Sequence, residues 1–449
     1  MTRLFITGII VMTGHFGFGQ NGGNSPYSRL GIGDLMTSDY VAIRSMGRLS
    51  ASFAHPNLIN VANPASLGQL TNTSFEIGID ASYSRLKDGQ NEAGFWGGSI
   101  NYLSLAFPLI NPVNRLLDQK EPDFNWGLNL ALMPFSRVSY DNSIEEEMVD
   151  IGSVNRQFKG SGGINQVLIG NGLRYKNFCI GLNLGYLFGK IRNERAVLYG
   201  DYIIPFHNHY SDEVSYTGLH WNAGIQYKYI ISKGKAQEDE RGMRSITFGL
   251  YGNSPINIKT TSNFLHAKVR QSNSYFGLGS DLRREELDTL SSGIALEQDG
   301  KLPAEISLGA AYHHGNKWVL GINFKTSNWS RYENLADLGS FDNTWEFSIG
   351  SQFIPDINSY NYFHHRIRYR AGAFFGMDPR VIENEQLKNF GLTLGLGLPI
   401  VAQRQLSFVN LGFEYGRRAG DVLLKENYVK FYLGITLNNN LWFYKRKFN

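Results

Sequence analysis

The sequence predicts an all-β fold: a transmembrane antiparallel β-barrel of about fourteen strands, closed inside by an N-terminal plug, or hatch. Three observations carry this. The N-terminus has the form of an export signal, apolar and polar residues alternate with a period of two in segment after segment, and the connectors between those segments fall into a short and a long class.

The export signal begins with Arg3, continues through the apolar run Leu4 to Met12 and ends in the small residues Gly17 and Gly19. Cleavage after Gly19 leaves Gln20 as the mature N-terminus. That boundary has no cysteine to carry a lipid anchor, and the apolar run is too short to span a bilayer as a helix. Fifty glycines and 13% aromatic residues accompany only 18% charged residues, and no later apolar stretch reaches helix-spanning length. A soluble all-β protein or a membrane barrel remains. The net charge of +4 gives no reason to expect nucleic acid as a partner. Cys179 is the only cysteine, so no intramolecular disulfide can form; it reads as a small buried or lipid-facing residue.

Alternation is clearest from Leu219 to Tyr229, where Trp221, Ala223, Ile225, Tyr227 and Tyr229 share one face and His220, Asn222, Gly224, Gln226 and Lys228 the other. The same rule puts strands near 74–85, 98–107, 124–140, 164–175, 178–190, 214–231, 244–264, 303–313, 317–328, 343–354, 366–376, 388–400, 405–417 and 428–437. Lys176-Asn177, His314-Gly315-Asn316 and Ala402-Gln403-Arg404 form tight turns, whereas 141–163, 191–213 and 265–302 are long and polar. Short periplasmic turns and long extracellular loops give a barrel this asymmetry, with 232–243 as a longer periplasmic exception. Trp126, Tyr140, Tyr175, Trp221, Tyr229, Trp318, Trp329, Trp345 and Phe353 lie toward strand ends, as interfacial aromatic girdles do. The resulting organisation is a signal peptide (1–19), a plug (20–73), the barrel (74–437) and a periplasmic tail (438–449). The plug segment is rich in Gly, Ser, Asn and Pro; a periplasmic extension that docks on a partner is its other placement.

With these strands in place, the chain resembles the long-chain fatty-acid transporter family of outer-membrane barrels, the FadL/TodX-like group. It is most similar to a branch that begins with a stretch like Ser25-Pro26-Tyr27-Ser28-Arg29-Leu30-Gly31-Ile32-Gly33-Asp34. The residues behind this are Ala62-Asn63-Pro64-Ala65-Ser66 before the first strand, the Pro134-Phe135-Ser136 interruption of the third strand, and Leu302-Pro303 opening a Gly-rich hairpin that ends in Asn328-Trp329. The resemblance implies a hatch whose Asn63, Pro64 and Ala65 lie near an inward kink at Pro134 and Phe135. In that family the kink opens a lateral hole through which hydrophobic ligands leave. Proline cannot donate to a strand ladder, which is a physical cause for a break at Pro134; the alternative is that Pro134 ends the spanning strand at a loop. The basic and apolar residues of a fatty-acid pocket are not identifiable, so substrate identity does not carry over.

Arg366, Arg368 and Arg370 alternate with Ile367 and Tyr369 and are expected to point into the lumen, with Glu346, Glu414, Glu76 and Asp80. A charge ladder that neutralises itself and anchors the hatch is one reading; an anion-selective wall or a carboxylate clamp for an acyl ligand is the other. The pairs His207/His209, His313/His314 and His364/His365 lack the convergent third ligand of a metal site, so neither a metal nor a cofactor is expected. Glu145-Glu146-Glu147 reads as a solvated loop. Gly160-Ser161-Gly162-Gly163 precedes a strand, not the helix of a phosphate loop. No nucleophile and base stand together on one strand face, so enzyme activity is not expected.

Two functions remain for a protein of the bacterial outer membrane, surrounded by its lipid. One is passage of a fatty-acid-like hydrophobic small molecule past the hatch and out through the wall. The other is a non-transporting adaptor barrel, PorV-like, in a secretion or assembly complex, with 191–213 and 265–302 as surfaces for protein partners.

Overall fold

The computed structural model describes residues 25–89, 91–110, 123–149, 152–199, 207–233, 242–271, 284–334, 339–402, 405–420 and 424–439. The expected signal peptide, the mature N-terminus at Gln20 and all but the first two residues of the expected tail lie outside these residues.

A two-residue hatch strand, β1 (Asp34–Leu35), precedes the barrel strands β2 (Thr73–Asp88), β3 (Asn91–Pro108), β4 (Phe124–Met148), β5 (Gly152–Tyr175), β6 (Phe178–Tyr199) and β7 (His207–Lys233). The next two staves are each broken in two, β8 (Met243–Asn253) with β9 (Ile256–Gln271), and β10 (Arg284–Leu302) with β11 (Glu305–His314). The breaks face each other, since Pro255 and Pro303 both fall between the pairs Ile256↔Leu302 and Asn253↔Glu305. Neither proline can donate to the ladder there. β12 (Trp318–Ser327), the short β13 (Ser340–Phe341), β14 (Thr344–Phe353), β15 (Arg368–Ile382), β16 (Glu385–Ala402), β17 (Gln405–Ala419) and β18 (Leu424–Asn439) complete the chain. Taking each broken stave as one and leaving aside β1 and β13 gives fourteen antiparallel strands. β18 closes the barrel on β2, from Leu424↔Asp88 to Asn439↔Thr73.

Each stretch expected to be a strand lies on its own stave, because period-two alternation sorts side chains between two media. On β6, Ile180, Leu182, Leu184 and Tyr186 are exposed on the outer face while Cys179, Gly181 and Asn183 turn inward. Equivalent exposed rows on β12, β14 and β16 make an apolar belt, a surface that a bilayer covers and water does not. Trp126, Tyr175 and Tyr229 are exposed near the lower edge of this belt, whereas Tyr140 and Trp329 are buried in an inward cluster with Ile164, Val214 and Tyr216 and do not join a girdle.

The expected long loops need correction. The ladder between β4 and β5 continues through 141–163 to Met148↔Gly152, that between β6 and β7 reaches Val197↔Asn208, and that between β9 and β10 reaches Gln271↔Arg284. Six adjoining staves therefore rise above the belt as one tall wall. Polarity ends the belt without ending the strand, because above the bilayer neither face needs to be apolar. The length rule also fails on the other side, where 109–123 and 354–367 are long connectors beside the tight turn at Lys176-Asn177.

Residues 25–72 fill the barrel. They contain 3-10 turns at Pro26–Arg29 and Pro64–Gln69, and a single helical turn, α1 (Val41–Arg44). Val41, Ile59, Val61, Leu67 and Leu70 pack with Tyr102, Met133 and Tyr432 of the wall, and Ile43, Met46, Leu49 and Phe53 pack with Phe408.

Candidate functional site

The hatch is held chiefly through its backbone, by polar side chains that the inward half of the alternation supplies. Asn183 Nδ2 donates to Val61 O (2.8 Å), Asn222 Nδ2 to Ala62 O (2.9 Å), and Gln226 Nε2 to Ala51 O (2.9 Å). Asn125 Nδ2 reaches Gly68 O and Leu70 O, both at 2.8 Å, while Gly47 N donates to Thr393 Oγ1 (3.0 Å). Asn63 caps the second 3-10 turn: its Oδ1 accepts from Ala65 N (3.1 Å) and its Nδ2 donates to Ala51 O (2.7 Å). A shape fixed this way is preorganised on both sides.

Asn63, Pro64 and Ala65 consequently sit against β5, β6 and β7, with Asn63 Nδ2 also reaching Ile225 O at 3.5 Å. The expectation that they adjoin the Pro134 kink is corrected. The piece of hatch at the kink is β1, whose Asp34 and Leu35 pair with Arg137 and Ser136, followed by Met36 N donating to Phe135 O (3.0 Å).

Charge anchors the hatch, but not through the expected ladder. Arg48, in the left-handed region at φ 66°, pairs with Glu346 (2.7 Å) and Glu414 (3.1 Å) and stacks its guanidinium 3.5 Å from the centre of the Phe374 ring. Arg380 binds Asp34 (2.8 Å), Asp378 (2.7 Å) and Tyr27 O (2.8 Å), and Arg418 joins Asp34 (3.2 Å) and Glu426 (3.2 Å). Arg368 and Arg370 do point inward and are buried, yet neither makes an ion pair among the described residues. Arg370 donates to Gln352 Oε1 (2.9 Å) and Asn410 Oδ1 (2.8 Å), and Arg368 lies 4.1 Å over the Phe408 ring. Glu346 and Glu414 already belong to Arg48. Arg366 is not part of the row, because Phe363–Arg366 closes a 3-10 turn before β15 begins. Arg48, Arg380, Arg418 and Arg137 escape sequence reading; the left-handed backbone at Arg48, the one signal of its special place, is not visible in residue order.

Beside the hatch the lumen holds a cavity of about 240 Å³ lined largely by charged and polar groups, among them Asp39, Arg48, Lys325, Glu346, Arg380 and Glu414. Burial pushes the Asp39 carboxyl up to about 6, against the pull of Lys325, Arg44 and Arg48. Between pH values of about 4 and 6 the folded chain thus holds a proton that the unfolded chain has released, so this group's contribution is complete below about 4 and is lost as pH rises through about 6. Asp39→Asn is expected to match the parent in urea unfolding at pH 3 and to exceed it by about 2 kcal/mol at pH 8. Equal midpoints at pH 8 would place Asp39 in water.

The wall itself is incomplete between β3 and β4. Their ladder runs only from Leu103↔Leu132 to Pro108↔Gly127, although β3 continues to Asn91 and β4 to Met148. At Pro134 the register of β4 against β5 shifts, and Pro134 and Phe135 part company: Pro134 lines the gap, and Phe135 lines the lumen cavity with its ring 6.2 Å from that of His220. Of the two readings of Pro134, the break in the ladder is the one present, since β4 does not stop there. Arg137 spans the gap, donating to Ile100 O (2.6 Å) and to Ser99 Oγ, with Asp80 at 3.6 Å. The space between the strands is about 960 Å³.

Among the described residues no three His, Cys, Asp or Glu side chains converge as a metal site. His364 and His365 stack only on each other and Tyr362. Cys179 faces the hatch, accepting from Gln69 Nε2 at 3.8 Å.

The model of the BamG family matches this chain over residues 1–449. No curated protein matches it. Among solved structures it is similar to a FadL homologue of Pseudomonas aeruginosa, with a TM-score of 0.55 and 13% identity, over 90% of this chain and 99% of that one. It is similar to the Ralstonia pickettii toluene transporter TbuX (TM-score 0.51, 12% identity, 88% and 97% covered) and to the P. putida toluene transporter TodX (0.50, 15%, 94% and 99%). At such identities the likeness is one of fold, so the FadL/TodX resemblance holds for architecture while the family has another name. The chain belongs to the BamG family, built on a FadL-like fourteen-strand outer-membrane barrel.

Proposed function

We propose that this protein is a sealed adaptor barrel of a bacterial outer-membrane assembly complex, with no transport or catalysis of its own. The carrying observation is the seat of the hatch: wall amides bond its backbone on several staves, and charged and polar groups line a lumen cavity of about 240 Å³. A hydrophobic molecule gains about 25 cal/mol for each Å² it buries in an apolar route, and gains less in a lumen that ion pairs line on one side. The tall wall, including the described residues 191–199, 207–213, 265–271 and 284–302, supplies the surface for protein partners, and the family name points to an assembly-related role. Native mass spectrometry after gentle extraction from the native membrane is expected to find a stoichiometric protein partner. A lone barrel carrying a hydrophobic small molecule would sink the adaptor reading.

The unpaired stretch of β3 and β4 favours a second reading, hydrophobic passage through the wall. Here Pro134→Val is the decisive variant, since it returns an N–H to the strand. Uptake of a hydrophobic probe is expected to fall about tenfold under this reading. Unchanged uptake in a folded variant counts against the lateral route.

A further inference from the structure

The lateral gap is more than a missing ladder. Asn101 is pushed out of register where β2 and β3 slip between Gly78 and Ile79, and it lines the gap with its side chain buried and both amide atoms without a hydrogen-bond partner. Ser136, equally buried on the facing strand, has a hydroxyl without a partner and lines the same space. Buried polar groups in native proteins are almost always satisfied, so an unpaired amide and an unpaired hydroxyl point to the polar group of a ligand in the gap. Its volume of about 960 Å³ far exceeds a few waters at about 30 Å³ each.

The lining divides by chemistry. Outward, Trp96, Ile100 and Leu103 of β3 and Leu132 of β4 are exposed, and the register Val429↔Tyr83↔Trp96 places β3 across β2 from β18 on the lipid-facing side. Inward stand Asn101 and Ser136, and Arg137 turns to Ser99 and Asp80; Lys159 is exposed at the rim opposite Asp141, the one carboxylate of the lining, and Lys190, also of the lining, is paired with Glu213 at 2.9 Å. Arg137 has only a loose ion pair with Asp80, at 3.6 Å. A wholly apolar molecule leaves the amide and the hydroxyl unmet and the Arg137 charge with its loose ion pair alone, and a free ion leaves the outer rim uncovered. Charge-assisted bonds from arginine suit phosphate oxygens.

We propose that the gap between β3 and β4 binds one phosphate-bearing lipid of the surrounding leaflet. Its headgroup is drawn in to Arg137, Asn101 and Ser136, and its acyl chains lie outside against Trp96, Ile100 and Leu132. The bound lipid seals the break in the wall. This site does not depend on the adaptor reading.

The test uses the full chain in a neutral maltoside detergent, with dioctanoyl phosphatidic acid as the probe and dioctanoylglycerol and inorganic phosphate as comparisons, read by native mass spectrometry. Arg137→Gln keeps a donor for Ile100 O but removes the charge, and Asn101→Ala removes the amide; heat-dependent gel migration reports the fold. The expected result is one phosphatidic acid per barrel, held about tenfold more tightly than dioctanoylglycerol, with that preference lost in both folded variants. Equal retention of the two lipids overturns the proposal, as does a folded Arg137→Gln that keeps the preference. Full displacement by inorganic phosphate at equal concentration replaces the lipid by a free-phosphate site. If Asn101→Ala does not fold, Arg137→Gln decides alone.

Discussion

Replacing Arg48 by alanine is expected to destabilise the protein by about 3–5 kcal/mol, because it leaves two carboxylates in the lumen without their counter-ion. Glu414 is almost wholly buried, and Glu346 retains about a fifth of its exposure. The Phe374 face loses its cation as well, a contact worth on the order of 1–2 kcal/mol when water is excluded. Tyr432 and Tyr428 still donate to Glu414, at 3.0 and 3.3 Å, which places the loss toward the lower end of the range. The midpoint of urea unfolding, followed by gel migration, measures the effect. A charge-free triple variant, Arg48→Ala with Glu346→Gln and Glu414→Gln, is expected to recover most of it, since burying neutral amides costs less than burying unpaired charge. A single variant within about 0.5 kcal/mol of the parent would mean that the hatch does not depend on this contact.

How far residue order foretells this anchor depends on the reach of each signal. Alternation from Ile180 to Phe188, and in thirteen other stretches, specifies strands because each decision is local: one face meets lipid and the other does not. The break at Pro134 is legible for the same reason, as a missing donor belongs to a single residue. Inward orientation of Arg368 and Arg370 follows from their spacing of two. Their partners do not, because period two gives a face but neither a height nor a neighbour. Arg48 meets Glu346 across 298 residues of chain, and nothing around either residue announces the other. The tall wall escapes for a different reason. Segments such as 152–163 and 191–199 pair by backbone hydrogen bonds in water, where no apolar face is demanded, and their polar composition looks like that of a loop. Seating Asn63, Pro64 and Ala65 at β5–β7 and not at the kink likewise required knowing which wall amides face which hatch carbonyls.

The second large effect is steric. Gly350→Ala is expected to unseat the hatch, whereas Gly98→Ala is expected to leave the barrel near the parent. A Cβ on Gly350 would come far closer than van der Waals contact to Met46 O and its carbonyl carbon, which are backbone atoms of the hatch and cannot swing aside. At Gly98 the nearest atom to an added Cβ is Asp80 O at 3.3 Å, within what a small shift absorbs. The two variants add the same methyl to strands of one barrel, so a shared β-propensity effect cancels between them. If the hatch moves by the full overlap, Gly47 N loses Thr393 Oγ1 (3.0 Å) and Arg48 loses Glu346, so the local clash removes contacts on two staves together. The expected readouts are protease cleavage within residues 25–72 and ion conductance in planar bilayers, both absent from the parent and from Gly98→Ala. Conductance without cleavage would mean that the hatch shifts inside the barrel while staying folded. Neither signal in a folded Gly350→Ala barrel would mean that the hatch gives way at Met46 while keeping its seal, and that the polar bonds from Asn183, Asn222 and Gln226 suffice to hold it.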